Sequence, residues 1–139
     1  MRPSGNFIVF VHGSLAPSAD EWQKLIGLFR THPNLSLLRT LVFTEGGAPN
    51  AAQRADLAAV IGSVKMPVSV ITDSIIARGA GTALSWLNPA LRLFAPKDFD
   101  DALDHLGATG HERRTLRTIV DELRRELLSS SLPPARRDF

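Results

Sequence analysis

Four short runs of consecutive aliphatic residues, each followed by a turn-rich break and an amphipathic stretch, constrain this chain more than any other feature. The runs are Phe7 to Val11, Leu37 to Phe43, Val68 to Ile71 and Leu91 to Phe94. Strands that are apolar at consecutive positions are buried on both faces, which is the pattern of a parallel sheet. Parallel neighbours need a crossover connection, and the helical stretches between the runs supply one each. The expected unit is (βα)4.

Helix boundaries are marked by capping pairs. Ser18 with Glu21 opens a helix whose apolar stripe is Trp22, Leu25, Ile26 and Phe29. Asn50 with Gln53 opens the next, with Leu57, Val60, Ile61 and Val64 on its inner face. A third stripe contains Ile76, Ala80, Ala83 and Leu84; Asp98 is the expected cap of a helix carrying Phe99, Ala102, Leu103 and Leu106. Thr109 with Glu112 opens a fifth helix with Leu116, Ile119, Val120, Leu123 and Leu127 at helical spacing. The expected division is an α/β domain over 1–108, a C-terminal helix over 109–128, and a flexible tail over 129–139. A helix of about eighteen residues does not stand free in water, so this one should pack on its own domain or mediate self-association.

The net charge of +2 and basic isoelectric point raise the question of nucleic acid, and the distribution answers it. Residues 1–110 carry nine basic and nine acidic side chains, whereas 111–139 carry seven arginines against five acids. The excess is interleaved with acids and has no accompanying aromatic face for stacking bases, so an ion-paired helix surface is expected rather than a nucleic-acid interface. The chain has no cysteine, hence no thiolate metal site or thiol nucleophile. Phe7 to Val11 is too short for a signal-peptide core or a membrane span, and the expected location is cytoplasmic.

Val70-Ile71-Thr72-Asp73-Ser74, Arg78-Gly79-Ala80-Gly81-Thr82-Ala83-Leu84, and Leu93-Phe94-Ala95-Pro96 leading into Asp100-Asp101-Ala102-Leu103 carry a family resemblance. In the order and spacing of these elements the chain resembles the STAS domain family (sulfate transporters and anti-sigma-factor antagonists) and its SEC14-like relatives. The resemblance covers about residues 5–107. It implies an α/β fold of four βα units in a mainly parallel four-stranded sheet, here with an additional C-terminal amphipathic helix. It also implies a non-catalytic regulatory or scaffolding module acting through protein partners. The SEC14-like side implies instead a small anionic or lipid ligand at the sheet rim. There are two departures. Gly46-Gly47-Ala48-Pro49-Asn50 stands where antagonists carry a phosphorylatable serine motif, and only six residues precede Phe7, so the family's extra edge strand is expected to be missing.

The candidate chemistry lies at the strand ends. Asp73, Ser74, Arg78 and Gly79 follow a central strand, where open α/β sheets bind ligands, and an arginine one turn into a helix can hold an anion. The competing reading is a helix cap with glycines that permit close packing. Gly46 and Gly47 can form an amide nest for an anion or simply turn the chain. With Asn50, Trp86, Leu116, Ile119 and Leu123 they make up the expected interaction surface. His12-Gly13-Ser14 has no nucleophile elbow to accompany it, so a hydrolase acting through Ser14 or Ser74 ranks last. His105 and His111 have no partner at metal-ligand spacing, and neither cofactor nor metal is expected.

Overall fold

A computed structural model describes residues 1–131. The strands are β1 (Arg2–Ser4), β2 (Phe7–His12), β3 (Arg39–Thr44), β4 (Val68–Ile71) and β5 (Leu91–Phe94). The α-helices are α1 (Ala19–Thr31), α2 (Ala51–Ile61), α3 (Ile75–Leu87), α4 (Phe99–His105) and α5 (Gly110–Ser131). The sheet order is β1-β2-β3-β4-β5, with β2 to β5 parallel and β1 antiparallel to β2. The parallel α/β class expected from the aliphatic runs is therefore present.

The strand count differs. A fifth strand forms where none was expected: Arg2, Pro3 and Ser4 pair with Val9, Ile8 and Phe7 across a tight Gly5–Asn6 turn. Proline is tolerated there because β1 is an edge strand, where a missing backbone donor costs no central ladder bond. The run beginning at Leu37 is also trimmed. Leu35–Leu37 forms a 3-10 turn capped by Asn34, and β3 starts only at Arg39.

Side-chain parity sends the strands' apolar groups to two opposite cores. Ile8 and Phe10 of β2 face one side and pack with Trp22, Leu25, Ile26 and Phe29 of α1. Val68, Val70 and Leu91 continue that side under α3. Phe7, Val9, Leu41, Phe43 and Ile71 face the other side, where α4 and α5 cover them. Parallel neighbours in sequential order, joined by crossovers of one hand, place their connecting helices on one face. The second face would be bare without the C-terminal helices.

The helix over 109–128 is thus a structural layer of the core. Leu116 is 1% exposed, Ile119 and Val120 are buried, and Leu123 packs half-buried against the same cluster. Leu116, Ile119 and Leu123, expected on an interaction surface, are corrected to core positions because the sheet's second face has no other cover. The reciprocal Thr109–Glu112 cap forms as expected. The helix also continues through Ser131, past the expected start of the tail; residues 132–139 lie outside the described residues.

Three arginines of α5 are used in cross-element contacts. Arg117 pairs with Asp100 and stacks over Phe99, Arg113 pairs with Asp104, and Arg124 lies 4.5 Å over the Phe43 ring. Arg2 of β1 bridges to Glu122 and to Glu126, tying the edge hairpin to α5. Within α5, Arg125 reaches the Asp121 carbonyl. These contacts join α5 to α4 and β1.

Leu116→Ala should lower unfolding stability by about 2–5 kcal/mol, the range for truncating a buried leucine. Urea denaturation followed by circular dichroism checks this; a loss below about 1 kcal/mol would contradict α5 as a core layer.

Candidate functional site

The rim at the carboxyl ends of the strands divides the expected site rather than assembling it. Ser74 caps α3, its hydroxyl accepting from the Ala77 amide, and its own amide donates to Thr72 Oγ1. Arg78 turns back to donate to the Thr72 carbonyl at 3.3 Å. Asp73 lines a charged cleft on the opposite side of the rim, near Glu45, Asp121, Arg117 and Arg124. Asp73 and Arg78 therefore do not line one site. Of the two α3 glycines, Gly81 is the packing glycine: a Cβ there would meet Leu93 Cδ2 at 2.5 Å. Gly79 faces open space.

The Gly46-Gly47 turn is likewise occupied by its own contacts. The Glu45 amide donates to the His12 carbonyl, Gly46 to Thr44 Oγ1, and Gly47 to the Gly13 carbonyl at 2.8 Å. With all three amides satisfied, no nest remains for an anion. Gly47 is buried against the neighbouring loop, where an added Cβ would lie 2.0 Å from the Leu15 carbonyl oxygen, so it is corrected from the expected interaction surface to a packing position. Asn50 is exposed and forms a reciprocal cap with Gln53.

The third helical stripe agrees with its expectation at Ala80 and Leu84 and departs from it at Ile76. Ala77, Gly81 and Leu84 face inward, whereas Ile75 and Ile76 are 86% and 77% exposed and Trp86 is 81% exposed. These three side chains leave apolar groups exposed at the two ends of α3.

A feature the sequence reading missed lies beneath α2. The helix is alanine-rich and buries only Gln53 and Ile61; Leu57, Ala58 and Val60 are half-buried. Its start is fixed by Gln53, which donates from Nε2 to the Pro17 carbonyl at 2.9 Å and accepts from the Asn50 amide. Small inward residues on α2 and α3, among them Ala58, Ala77 and Ala80, leave the sheet incompletely covered. The result is a cavity of ≈ 130 Å³ between β2–β5 and the three crossover helices. Its walls are almost entirely apolar and include Phe10, Phe29, Val42, Leu57 and Val70; no Asp, Glu, Lys or Arg lines it.

Two polar atoms on this wall have no partner. Among the described residues, Trp22 Nε1 and Thr40 Oγ1 are buried side-chain polar atoms without a hydrogen bond. Both residues are 5% exposed and both line the cavity. Leaving a buried donor unsatisfied costs about 1–3 kcal/mol, and both atoms are enclosed by their neighbours rather than open to the space. Trp22 reaches in from the first turn of α1, near the carboxyl ends of the strands; Thr40 is the second residue of β3, near their amino ends.

His12 lines the cavity at its rim end. Burial pushes its imidazole below the ordinary histidine value, against the raising effect of Glu21, whose carboxylate lies 3.8 Å from Nδ1. The ring stacks with Phe10, their centroids 6.0 Å apart. The folded state thus favours neutral His12, consistent with an apolar site.

Among the described residues no group of three or more His, Asp or Glu side chains is placed to hold a metal ion, and no helix is long and apolar enough to cross a membrane. No protein-family model matches the sequence, and no curated protein or solved structure matches it. The reading of this site therefore rests on its own geometry.

The lowered His12 value has a definite sign in the pH dependence of stability. The unfolded chain takes up this proton first, near pH ~6.5, so the His12 contribution is fully present above that pH and is lost as pH falls through the folded value. His12→Gln should flatten the stability profile just below pH ~6.5, read from urea midpoints across pH. An unchanged profile would show that His12 is not held neutral by burial.

Proposed function

We propose that this protein is a non-catalytic sensing module that holds a small molecule in the apolar cavity beneath α2. The observation that carries the reading is the cavity itself: ≈ 130 Å³ of space whose walls are almost entirely apolar. Protein interiors are close-packed, and apolar cavities of about 150 Å³ take up benzene-sized guests. The STAS- and SEC14-like resemblance supports a binding role of this general kind, although the ligand site proposed here lies under α2 instead of at the rim near Asp73 and Arg78.

A second reading, regulation through protein contacts, is favoured by the outer face of α3. Ile75, Ile76 and Trp86 are the large apolar side chains exposed there. The inner face of the same helix contributes Ala77, Ala80, Gly81 and Leu84 to the cavity wall. One helix thus carries both part of the cavity wall and the exposed apolar side chains. A guest that shifts α3 would alter the surface offered to a partner, which joins the two readings in one regulatory module.

Ala58→Leu fills the space from the α2 side and tests the proposal. Saturating benzene should raise the melting temperature of the unaltered protein, since a ligand at 100 times its Kd contributes about 2.7 kcal/mol. The Ala58→Leu variant should keep its fold by circular dichroism and show no such rise. Equal stabilisation of both proteins would place the guest elsewhere and overturn the reading.

A further inference from the structure

The polar side chains that line the cavity beneath α2 are engaged elsewhere, enclosed, or confined to its rim. Resting on the reading that this space is a binding site, we infer that its ligand is a ring-sized hydrocarbon or halogenated hydrocarbon. The wall selects it by rejecting polar compounds of the same shape.

Among the described residues the polar side chains of the wall are His12, Trp22, Thr40, Thr44 and Asn88. Thr44 Oγ1 donates to the Gly47 carbonyl at 2.6 Å and accepts from the Gly46 amide. Asn88 Nδ2 donates to the Met66 carbonyl at 2.6 Å, and its Oδ1 accepts from the Ala90 amide. Trp22 Nε1 and Thr40 Oγ1 are enclosed by their neighbours and closed to a guest. The loop carbonyls at the rim are engaged too: Pro17 accepts from Gln53, and Pro49 from Arg54. His12 alone stands apart, as the last residue of β2 at the rim. Val42, in register with Phe10, lies two residues further in.

A hydroxyl or ring nitrogen entering this space gives up its water and meets no free partner there, a penalty that a methyl or methine group of similar size avoids. An ionised group fares worse, because no Lys, Arg, Asp or Glu lines the wall to serve as its counter-ion. Affinity is left to dispersion and to the removal of apolar surface from water. The ≈ 130 Å³ of space sets the size, close to the volume of about 150 Å³ that accommodates benzene.

Benzene with pyridine, and toluene with phenol, are pairs of nearly equal shape that differ by one hydrogen-bonding group. Chemical-shift titration of the full chain at neutral pH, where all four are uncharged, gives a dissociation constant for each. In both pairs the affinity ratio of hydrocarbon to polar analogue should exceed the ratio of their octanol–water partition coefficients by about tenfold or more, because octanol supplies hydrogen bonds and this wall does not. Ala58→Leu locates the guest and should abolish the binding of benzene and toluene.

A smaller excess in either pair would reveal a hydrogen-bonding partner open within the cavity. That result overturns the assigned ligand class while the binding cavity stands. If neither hydrocarbon binds the unaltered protein, or both bind Ala58→Leu equally well, the reading of the cavity falls and the inference with it.

Discussion

Strands that are apolar on both faces oblige the sheet to be covered twice, and the rest of this structure follows from that requirement. Phe7, Val9, Leu41 and Phe43 point to one side, and Ile8, Phe10 and Val42 to the other. Crossover helices α1, α2 and α3 can serve only one of these sides. The C-terminal α4 and α5 close the second, and the arginine pairings with Asp100 and Asp104 hold them to each other across the turn. The arginines of α5 that make these pairs are therefore bound up with packing, as the interleaved acids suggest.

The two faces are not equally filled. Under α4 and α5, Leu103 and Leu116 are almost completely excluded from solvent, and even the polar Ser69 is satisfied by the Ala102 carbonyl. Under α2, the helix offers alanines where the sheet offers Val42 and Val70. The anchor at Gln53 fixes one end of the helix without filling the middle. A tight face beside an underfilled one is the arrangement expected of a scaffold carrying a site, since a void forfeits dispersion contacts that ordinary packing would retain.

Much of this arrangement was legible in the sequence, for physical reasons that also explain the failures. Consecutive aliphatic residues located all four parallel strands, and the Ser18, Asn50 and Thr109 caps fixed three helix starts because capping is local chemistry. Strand β1 was invisible, since Arg2-Pro3-Ser4 has no hydrophobic signal and is held by its pairing to β2 and by Arg2 on α5. On α3, Ala80 and Leu84 face inward as their spacing implies, but Ile76 was misplaced because it sits in the first turn, where apolar character does not decide which side faces the sheet. At the rim, composition correctly marked helix-starting residues but could not show that Asp73 and Arg78 diverge. The cavity was beyond reach: it is a volume deficit shared among strands and three helices, and Trp22 read as an ordinary core residue because nothing local shows its Nε1 without a partner.

The central claim is that the space beneath α2 is present in the folded protein and accepts an apolar guest. A crystal of the protein pressurised with xenon tests it most directly, because xenon enters dry apolar cavities without requiring a hydrogen bond. The account predicts xenon density between α2 and the β3–β4 surface, bounded by Ala58, Leu57 and Val42. Side chains filling that space, with no xenon bound there, would contradict it.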